Sequence, residues 1–484
     1  MFEAKRLHPI AIVLNALKIL KEAFIPMIVL LFVQGGGDSA WDYFELVIPA
    51  VYLIGSIVFG TVTWFRFTYR VEDDEIRIDS GLIVKKKRYI RLERIQSIDV
   101  TEGILQRLFS LVKVSIETAG SSSGQAEAVL TAIPKEEAAL FQSLLKGRKK
   151  ESDSNIDEDI GLEISEVEEE RVLFRMSFRQ LLLMAATSGG VGVVFTGALI
   201  LYSQIGELIN IEGIYGEVER LVASGIILLI IFGISVLLVA YLIATISILL
   251  KYAFFTIKKS GNDLMITRGL LERRSLTIPI GRIQAIRIVE NVIRQPLGYA
   301  TVFVETTSGS LENMGNAKVM LFPIAEKKRL KELFSSIELD YQVDVPMIHV
   351  PNRSLIRYII RQWLWTIPVS IITVYLFQPW GYLSLLLPVL FTVYAYVCFK
   401  EASWNISGKQ LTLTYREWLN KQSYLVKREK VQSFTMKQSI FQKKKELGTV
   451  IAFSKTGFGA SDGTVVDLEE QDVFNIKRWF QGTR

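Results

Sequence analysis

A chain of 484 residues that is half hydrophobic, with a mean hydropathy of +0.30 and a formal net charge of +6, is too apolar for an ordinary soluble protein. One cysteine excludes an intramolecular disulfide framework, and two histidines leave little from which to build a metal centre. The length accommodates roughly three domains.

In chain order, apolar windows fall at residues 11–33, 44–65, 177–203, 221–250, 355–377 and 381–399. Each is close to the roughly 20 residues that cross a bilayer as a helix, so six spans are expected. Lys18, Lys21 and Glu22 interrupt the first, where the lysines can snorkel to the membrane surface. The start MFEAKRLHPI lacks a following small-residue cleavage site, so a retained N-terminus is expected.

The spans pair into helix hairpins over residues 1–65, 171–250 and 346–399, followed by segments 66–150, 251–345 and 400–484. These segments carry 16, 14 and 15 Lys and Arg against 12, 10 and 9 acids, whereas the short connection at 34–45 holds three acids and no base. Positive-inside bias therefore puts both termini and all three segments in the cytoplasm of a multi-pass cell-membrane protein. The sequon at Asn405 then faces the wrong side for glycosylation, and Cys398 in the last span is alone. Residues 151–170 contain ten acids and no base, which reads as a solvated flexible linker; a tether folding onto Lys85, Lys86, Lys87 and Arg88 is the functional alternative.

Repetition organises the chain. Aligned on a glutamine, QSIDVTEGILQRLFSLVKVSIET, QAIRIVENVIRQPLGYATVFVET and QSFTMKQSIFQKKKELGTVIAFS need no gap. Two strand candidates precede each glutamine, a glycine-rich hairpin tip follows, and an amphipathic helix closes each segment. Its apolar stripe is Ala138, Leu140, Phe141, Leu144 and Leu145 in the first copy and Val473, Phe474, Ile476, Trp479 and Phe480 in the third. About seven short strands capped by one helix is the pleckstrin-homology-like (PH-like) plan. The fold expected is an α+β integral membrane protein: three repeats of a transmembrane helix pair followed by a PH-like β-sandwich or barrel with a C-terminal helix.

Two spans leading into RIQSI, an LQRLFSL or RQPLGYA step and a VET strand resemble the bacterial PH-like family of the second class, the YdbS-like membrane proteins. The resemblance covers nearly the whole chain as three fused modules. KKKELG at Lys443 departs most from the pattern. The resemblance implies a companion, a shorter YdbS-like membrane protein with one such domain, and a role in envelope protection or antimicrobial tolerance.

No enzyme signature emerges, so no catalytic, cofactor-binding or metal-ligating residue is assigned and no cofactor is expected. His8 and His349 lie beside spans without cysteine or carboxylate at ligand spacing. GFGASDG at Gly457 sits between strands and reads as a hairpin, and no phosphate-cradling loop motif occurs. The basic excess is what positive-inside bias requires, without a nucleic-acid-binding signature. First-hairpin turns VEDDEI, KKSGNDL and NISGKQL offer only Lys258 and Lys259 to a lipid headgroup, leaving lipid-headgroup binding as an alternative. A transporter or exporter component is another; small residues at Thr187 onward suit helix packing rather than a path.

Two residue sets remain. Trp64, Arg66, Lys251, Tyr252, Lys400 and Trp404 mark the membrane exits, where aromatic and cationic side chains suit the headgroup layer and contact membrane lipids. Arg94 and Gln96, Arg282 and Gln284, and Lys430 and Gln432 form the repeat signature. Strand alternation puts Arg94, Gln96, Ile98 and Val100 on one face, with the glutamine amide at the rim satisfying loop backbone groups. The role that fits this set is structural, within a protein-interaction platform.

Overall fold

A computed structural model of the chain describes residues 4–33, 42–72, 75–81, 84–118, 127–139, 141, 171–188, 219–306, 318–378, 380–456 and 459–482. The first repeat comprises β1 (Lys5–Arg6), α1 (Ile10–Val33), α2 (Asp42–Arg66), β2 (Thr68–Glu72), β3 (Glu75–Ser80), β4 (Lys86–Arg91), β5 (Ile95–Glu102), α3 (Ile104–Leu108), β6 (Leu111–Thr118) and β7 (Ala128–Pro134). The second comprises β8 (Arg171–Arg175), α4 (Phe178–Ser188), α5 (Glu219–Tyr252), β9 (Thr256–Ser260), β10 (Asp263–Arg268), β11 (Arg273–Pro279), β12 (Ile283–Asn291), β13 (Tyr299–Thr306), β14 (Lys318–Glu326) and α6 (Leu330–Ser336). The third comprises β15 (Ile348–His349), α7 (Leu355–Leu376), α8 (Leu386–Glu401), β16 (Ser403–Ser407), β17 (Gln410–Glu417), β18 (Asn420–Lys427), β19 (Val431–Lys437), α9 (Ile440–Lys443), β20 (Leu447–Thr456), β21 (Gly459–Glu469) and α10 (Glu470–Gln481).

Three described helical stretches are long and apolar enough to cross a membrane: Gly233–Tyr252, Asn352–Leu376 and Gly381–Glu401, and Val51–Arg66 is a shorter apolar stretch. The α4 helix covers the start of the third expected span; the rest of that span, the linker at 151–170 and its basic-patch alternative fall wholly or partly outside the described residues. Arg66, Lys251 and Lys400 lie in the last turns of α2, α5 and α8, where a cation complements the helix dipole.

The chain forms two compact units. In the first, built from residues 1–169, 263–267 and 271–279, β1-β2-β3-β4 is an antiparallel sheet. A second sheet runs β7-β6-β5-β11-β10, so two strands of the second repeat extend the sheet of the first. Ile76, Ile78, Ile90, Ile98, Val114 and Leu130 fill the space between. In the second unit β8 pairs β9, β14-β13-β12-β18-β17-β16-β15 forms one sheet and β19-β20-β21 another.

The seven strands of a repeat do not all follow its helix pair. Six do, and the seventh precedes it: β1 pairs β2, β8 pairs β9 and β15 pairs β16, tying both ends of each helix pair to one sheet. A two-residue strand such as β1 or β15 is too short to show alternation, which hid it in the sequence. His8 and His349 sit beside and on these strands; the His8 ring accepts the Ile10 N–H at 3.3 Å. In the closing helix α10, Val473 and Ile476 are buried as expected, but Phe474 points to solvent. Gly482 ends the helix in the left-handed region (φ 71°), which glycine adopts without a Cβ clash.

Candidate functional site: the repeat junctions

The glutamine of each signature occupies a β-bulge. Pairing jumps from Ile95 to Ser97, from Ile283 to Ala285 and from Val431 to Ser433, skipping Gln96, Gln284 and Gln432. A bulge adds a residue without a partner and resets which face the next side chain takes. The uninterrupted strand alternation expected from position 94 to position 100 is therefore interrupted in the backbone pairing. The Gln284 amide donates to the Arg282 carbonyl at 3.0 Å, a backbone group just before the strand. Gln432 is exposed, Arg94 is exposed, and Arg282 and Lys430 are half-buried; Lys430 Nζ reaches the Gly281 carbonyl at 3.3 Å. The side chain of Gln96 lies outside the described residues.

Beyond the bulge the same strand joins one repeat to the next. β5 pairs antiparallel with β11, Ile98 facing Thr277, Val100 facing Ser275 and Glu102 facing Arg273. β12 pairs antiparallel with β18 from Ala285–Val426 to Asn291–Asn420. Acid meets base across the first seam, where Arg274 Nε donates to Asp99 Oδ2 at 2.9 Å; at the second, Glu290 faces Lys421 in register while its carboxylate binds Lys327 of its own repeat at 3.1 Å. Alternating apolar residues fill the faces while the backbone ladder closes each edge.

Arg287, aligned with Asp99, is the hub of the second junction. Its Nε donates to Glu305 Oε1 (2.8 Å), Nη1 to Tyr415 Oη (2.5 Å) and Gln422 Oε1 (2.7 Å), and Nη2 to Ser461 Oγ (2.9 Å) and the Asp462 carbonyl (2.8 Å). All five guanidinium N–H groups are used, and the Tyr424 ring lies 4.9 Å from its carbon. Burial works to lower the Arg287 pKa, but attraction to Glu305 and Tyr415 prevails and raises it. The third repeat contributes Tyr415, Gln422, Ser461 and Asp462, so one buried arginine cross-links two repeats. Of the motif GFGASDG, residues 457–458 lie outside the described residues, and Gly459–Gly463 begin β21, which pairs antiparallel with β20 and feeds this hub.

A cavity of about 500 Å³ opens beside the hub, lined among others by Arg287, Lys318, Arg361, Gln362, Arg416 and Asp462. Burial first, and repulsion from Arg287 second, lower the Lys318 pKa.

Polar side chains tie the helix pairs to the sheets. Arg353, in the 3-10 turn just before α7, and Arg357 and Arg361, in its first two turns, stand four residues apart. Arg357 Nε and Arg361 Nη2 reach the fully buried Asp467 at 2.8 and 2.6 Å, and Arg353 reaches Glu469 at 3.0 Å. Arg416 grips Glu401, the last residue of α8, with two bonds of 2.6 and 2.8 Å, and Gln295 completes the cluster. One aligned position recurs as Gln106, Arg294 and Gln442, all buried. Arg294 donates to Thr187, Ser188, the Met184 carbonyl, Thr301 and the Pro323 carbonyl. Burial among these neutral groups pushes its pKa down to about 10, so it stays charged at neutral pH. Sequence reading missed these residues, although the four-residue arginine spacing was a visible signal.

The membrane-exit residues divide. Lys400 is exposed at the end of α8, Arg66 is exposed at the end of α2, and Lys251 lies 5.4 Å from the Tyr252 ring. The Trp64 indole donates to the Leu7 carbonyl at 2.7 Å, tying α2 to the strand before α1. Trp404 and Tyr252 are buried, and Trp404 donates to Asp472 at 3.2 Å, so these rings pack in protein rather than in lipid. Trp418 instead exposes its ring at the β17–β18 turn, where Arg416 also binds the Leu419 carbonyl at 3.1 Å.

Sheets that carry a helix pair inside each repeat, and that splice each repeat to the next, define a class: membrane proteins assembled from PH-like modules. The bacterial PH domain family matches residues 18–149, 212–338 and 355–484, and the chain belongs to that family. Over 493 aligned positions it is 34% identical to the UPF0699 transmembrane protein YdbT of Bacillus subtilis (strain 168), covering 99% of this chain and 98% of YdbT. It is also 34% identical over 86 residues to the UPF0699 transmembrane protein YdbS of the same organism, covering 17% of this chain and 54% of YdbS.

Proposed function

We propose that the chain is a non-enzymatic membrane protein with six spans and cytoplasmic termini, whose PH-like domains form a protein-interaction platform on the inner face of the cell membrane. Its partner in this reading is a shorter YdbS-like protein, and its setting is envelope protection or antimicrobial tolerance. The carrying observation is the seam: the signature strand of one repeat is completed by the third strand after the next repeat's helix pair, which makes domain-to-domain sheet pairing the module's own mode of contact. Positive-inside charge bias and the family match support the topology. Affinity purification in mild detergent, with mass spectrometry of co-eluting proteins, tests the reading. Recovery of a one-domain family member is expected; a clean monomer that carries phospholipid contradicts it.

A lipid-headgroup reading draws on the cavity, where Lys318 and Arg361 line a space beside the helix pair. Loss of bound phospholipid on Lys318→Ala and Arg361→Ala, followed by native mass spectrometry, is its signature. Each substitution should leave partner recovery unchanged.

A further inference from the structure

Three signature strands occur, and two have their outer edge covered. β5 is flanked by β6 and β11, and β12 by β13 and β18. β19 has β20 on one side and, among the described residues, no strand on the other. The environments follow: Ile283, Ala285, Ile286, Arg287 and Ile288 are buried on β12, whereas Gln432, Ser433, Met436 and Lys437 are exposed on β19. The complementary vacancy is at the other end of the series, where β4, the counterpart of β11 and β18, ends its sheet among the described residues. An uncovered strand edge presents unpaired N–H and C=O groups that template another strand.

We infer that the open edge of β19 docks the third strand of a PH-like domain carried by another chain, and that this strand bears acidic residues. The inference deepens the platform reading and rests on it: it names the surface through which the one-domain partner is held.

Charge chooses between candidates for that strand. At the first seam Asp99 of the signature strand pairs with Arg274 of the next repeat, and in strand register Glu102 faces Arg273 and, at the second seam, Glu290 faces Lys421, although these two acids also bind Lys135 and Lys327 of their own repeats. On β19 the aligned residues are Thr435 for Asp99 and Arg287, and Gln438 for Glu102 and Glu290. Lys437 lies beside them, and Lys443, Lys444 and Lys445 follow on and after α9. β4 of a second copy would bring Lys86, Lys87 and Arg88 against this basic edge, and like charges across a strand pair oppose association. In the register of the internal seams Lys437 would lie opposite Lys86 of such a strand, which disfavours head-to-tail stacking of identical chains and selects a partner with acids on the strand it offers.

The test uses the full-length chain in membranes, produced together with the one-domain family member of the same organism. Single cysteines replace Ser433, Thr435 and Lys437 on β19, and Lys86 and Arg88 on β4, in a Cys398→Ser background. Cross-links from β19 to the partner's third strand, with none from β4, are expected, and Lys437→Glu should reduce recovery of the partner at least several-fold. Co-purification with cross-links only outside β19 overturns the edge assignment and leaves the platform reading standing. Absence of co-purification sinks both. A disulfide between β19 of one copy and β4 of another would show self-assembly and overturn the choice of partner.

Discussion

The signature strands β12 and β19 share a sequence frame, a bulge at the same glutamine and an antiparallel partner on one side, yet their surroundings are opposite. β12 lies inside a seven-stranded sheet and buries a charged residue, Arg287; β19 is the edge of a three-stranded sheet and carries threonine at the aligned position. The backbone plan belongs to the module, whereas burial is conferred by the neighbouring repeat. Where that neighbour exists, evolution of the interface could place an arginine that needs five partners. Where it does not, polar residues and lysines suit a strand in contact with water.

Removing Arg287 breaks this comparison most severely. Arg287→Met leaves the fully buried Glu305 without its cation, and truncating one partner of a buried ion pair costs about 3–5 kcal/mol. The unfolding midpoint in mild detergent should fall sharply, with cleavage between the second and third repeats under limited proteolysis. Asp467→Asn comes next. It removes charge from a carboxylate shared by Arg357, Arg361 and Gln442, and hydrogen bonds to charged groups are worth about 1.5–3 kcal/mol. Because Arg361 remains solvated, the lower half of that range is expected. The same proteolysis assay should then show α7 separating from its sheet before the hub opens.

Gly463→Ala has a smaller, local effect. An added Cβ would come within 2.4 Å of the Tyr424 ring, which is itself fully buried beneath Arg287. Overpacking of this kind costs about 1–3 kcal/mol. Intrinsic fluorescence during denaturant unfolding would register it, and an unchanged midpoint would mean that the ring can shift without disturbing the seam.

Much of the fold was legible because the repeat carried it. Three ungapped copies fixed the strand order after each helix pair, and the stripe of α10 fixed the closing helix. The strands contributed from before the first and third pairs were not legible, since two residues such as Ile348 and His349 hold no periodicity. The bulge was hidden for a related reason: alternation read through Gln96 is the same whether or not one residue is skipped in pairing. Trp404 was misplaced because aromatic residues beside cations suit both a headgroup layer and a domain core, and only the Asp472 bond distinguishes them. The seams were least legible of all, because pairing between repeats is a long-range fact that no local pattern reports.

The finest contrast between the two strands lies in their amides. In an antiparallel sheet alternate N–H groups point to opposite neighbours, so a strand with one open edge protects every second amide. In the isolated chain, hydrogen exchange along Phe434, Thr435 and Met436 should alternate between slow and fast, while Ile286, Arg287 and Ile288 on β12 should all be slow. Thr435→Ala should shift the unfolding midpoint of the isolated chain by no more than about 0.5 kcal/mol equivalent, as expected for a small change at a half-buried position, and should preserve the alternation. Uniform protection along β19 would show that its edge is already covered in the isolated chain, and the difference between the strands would then reside in side chains alone.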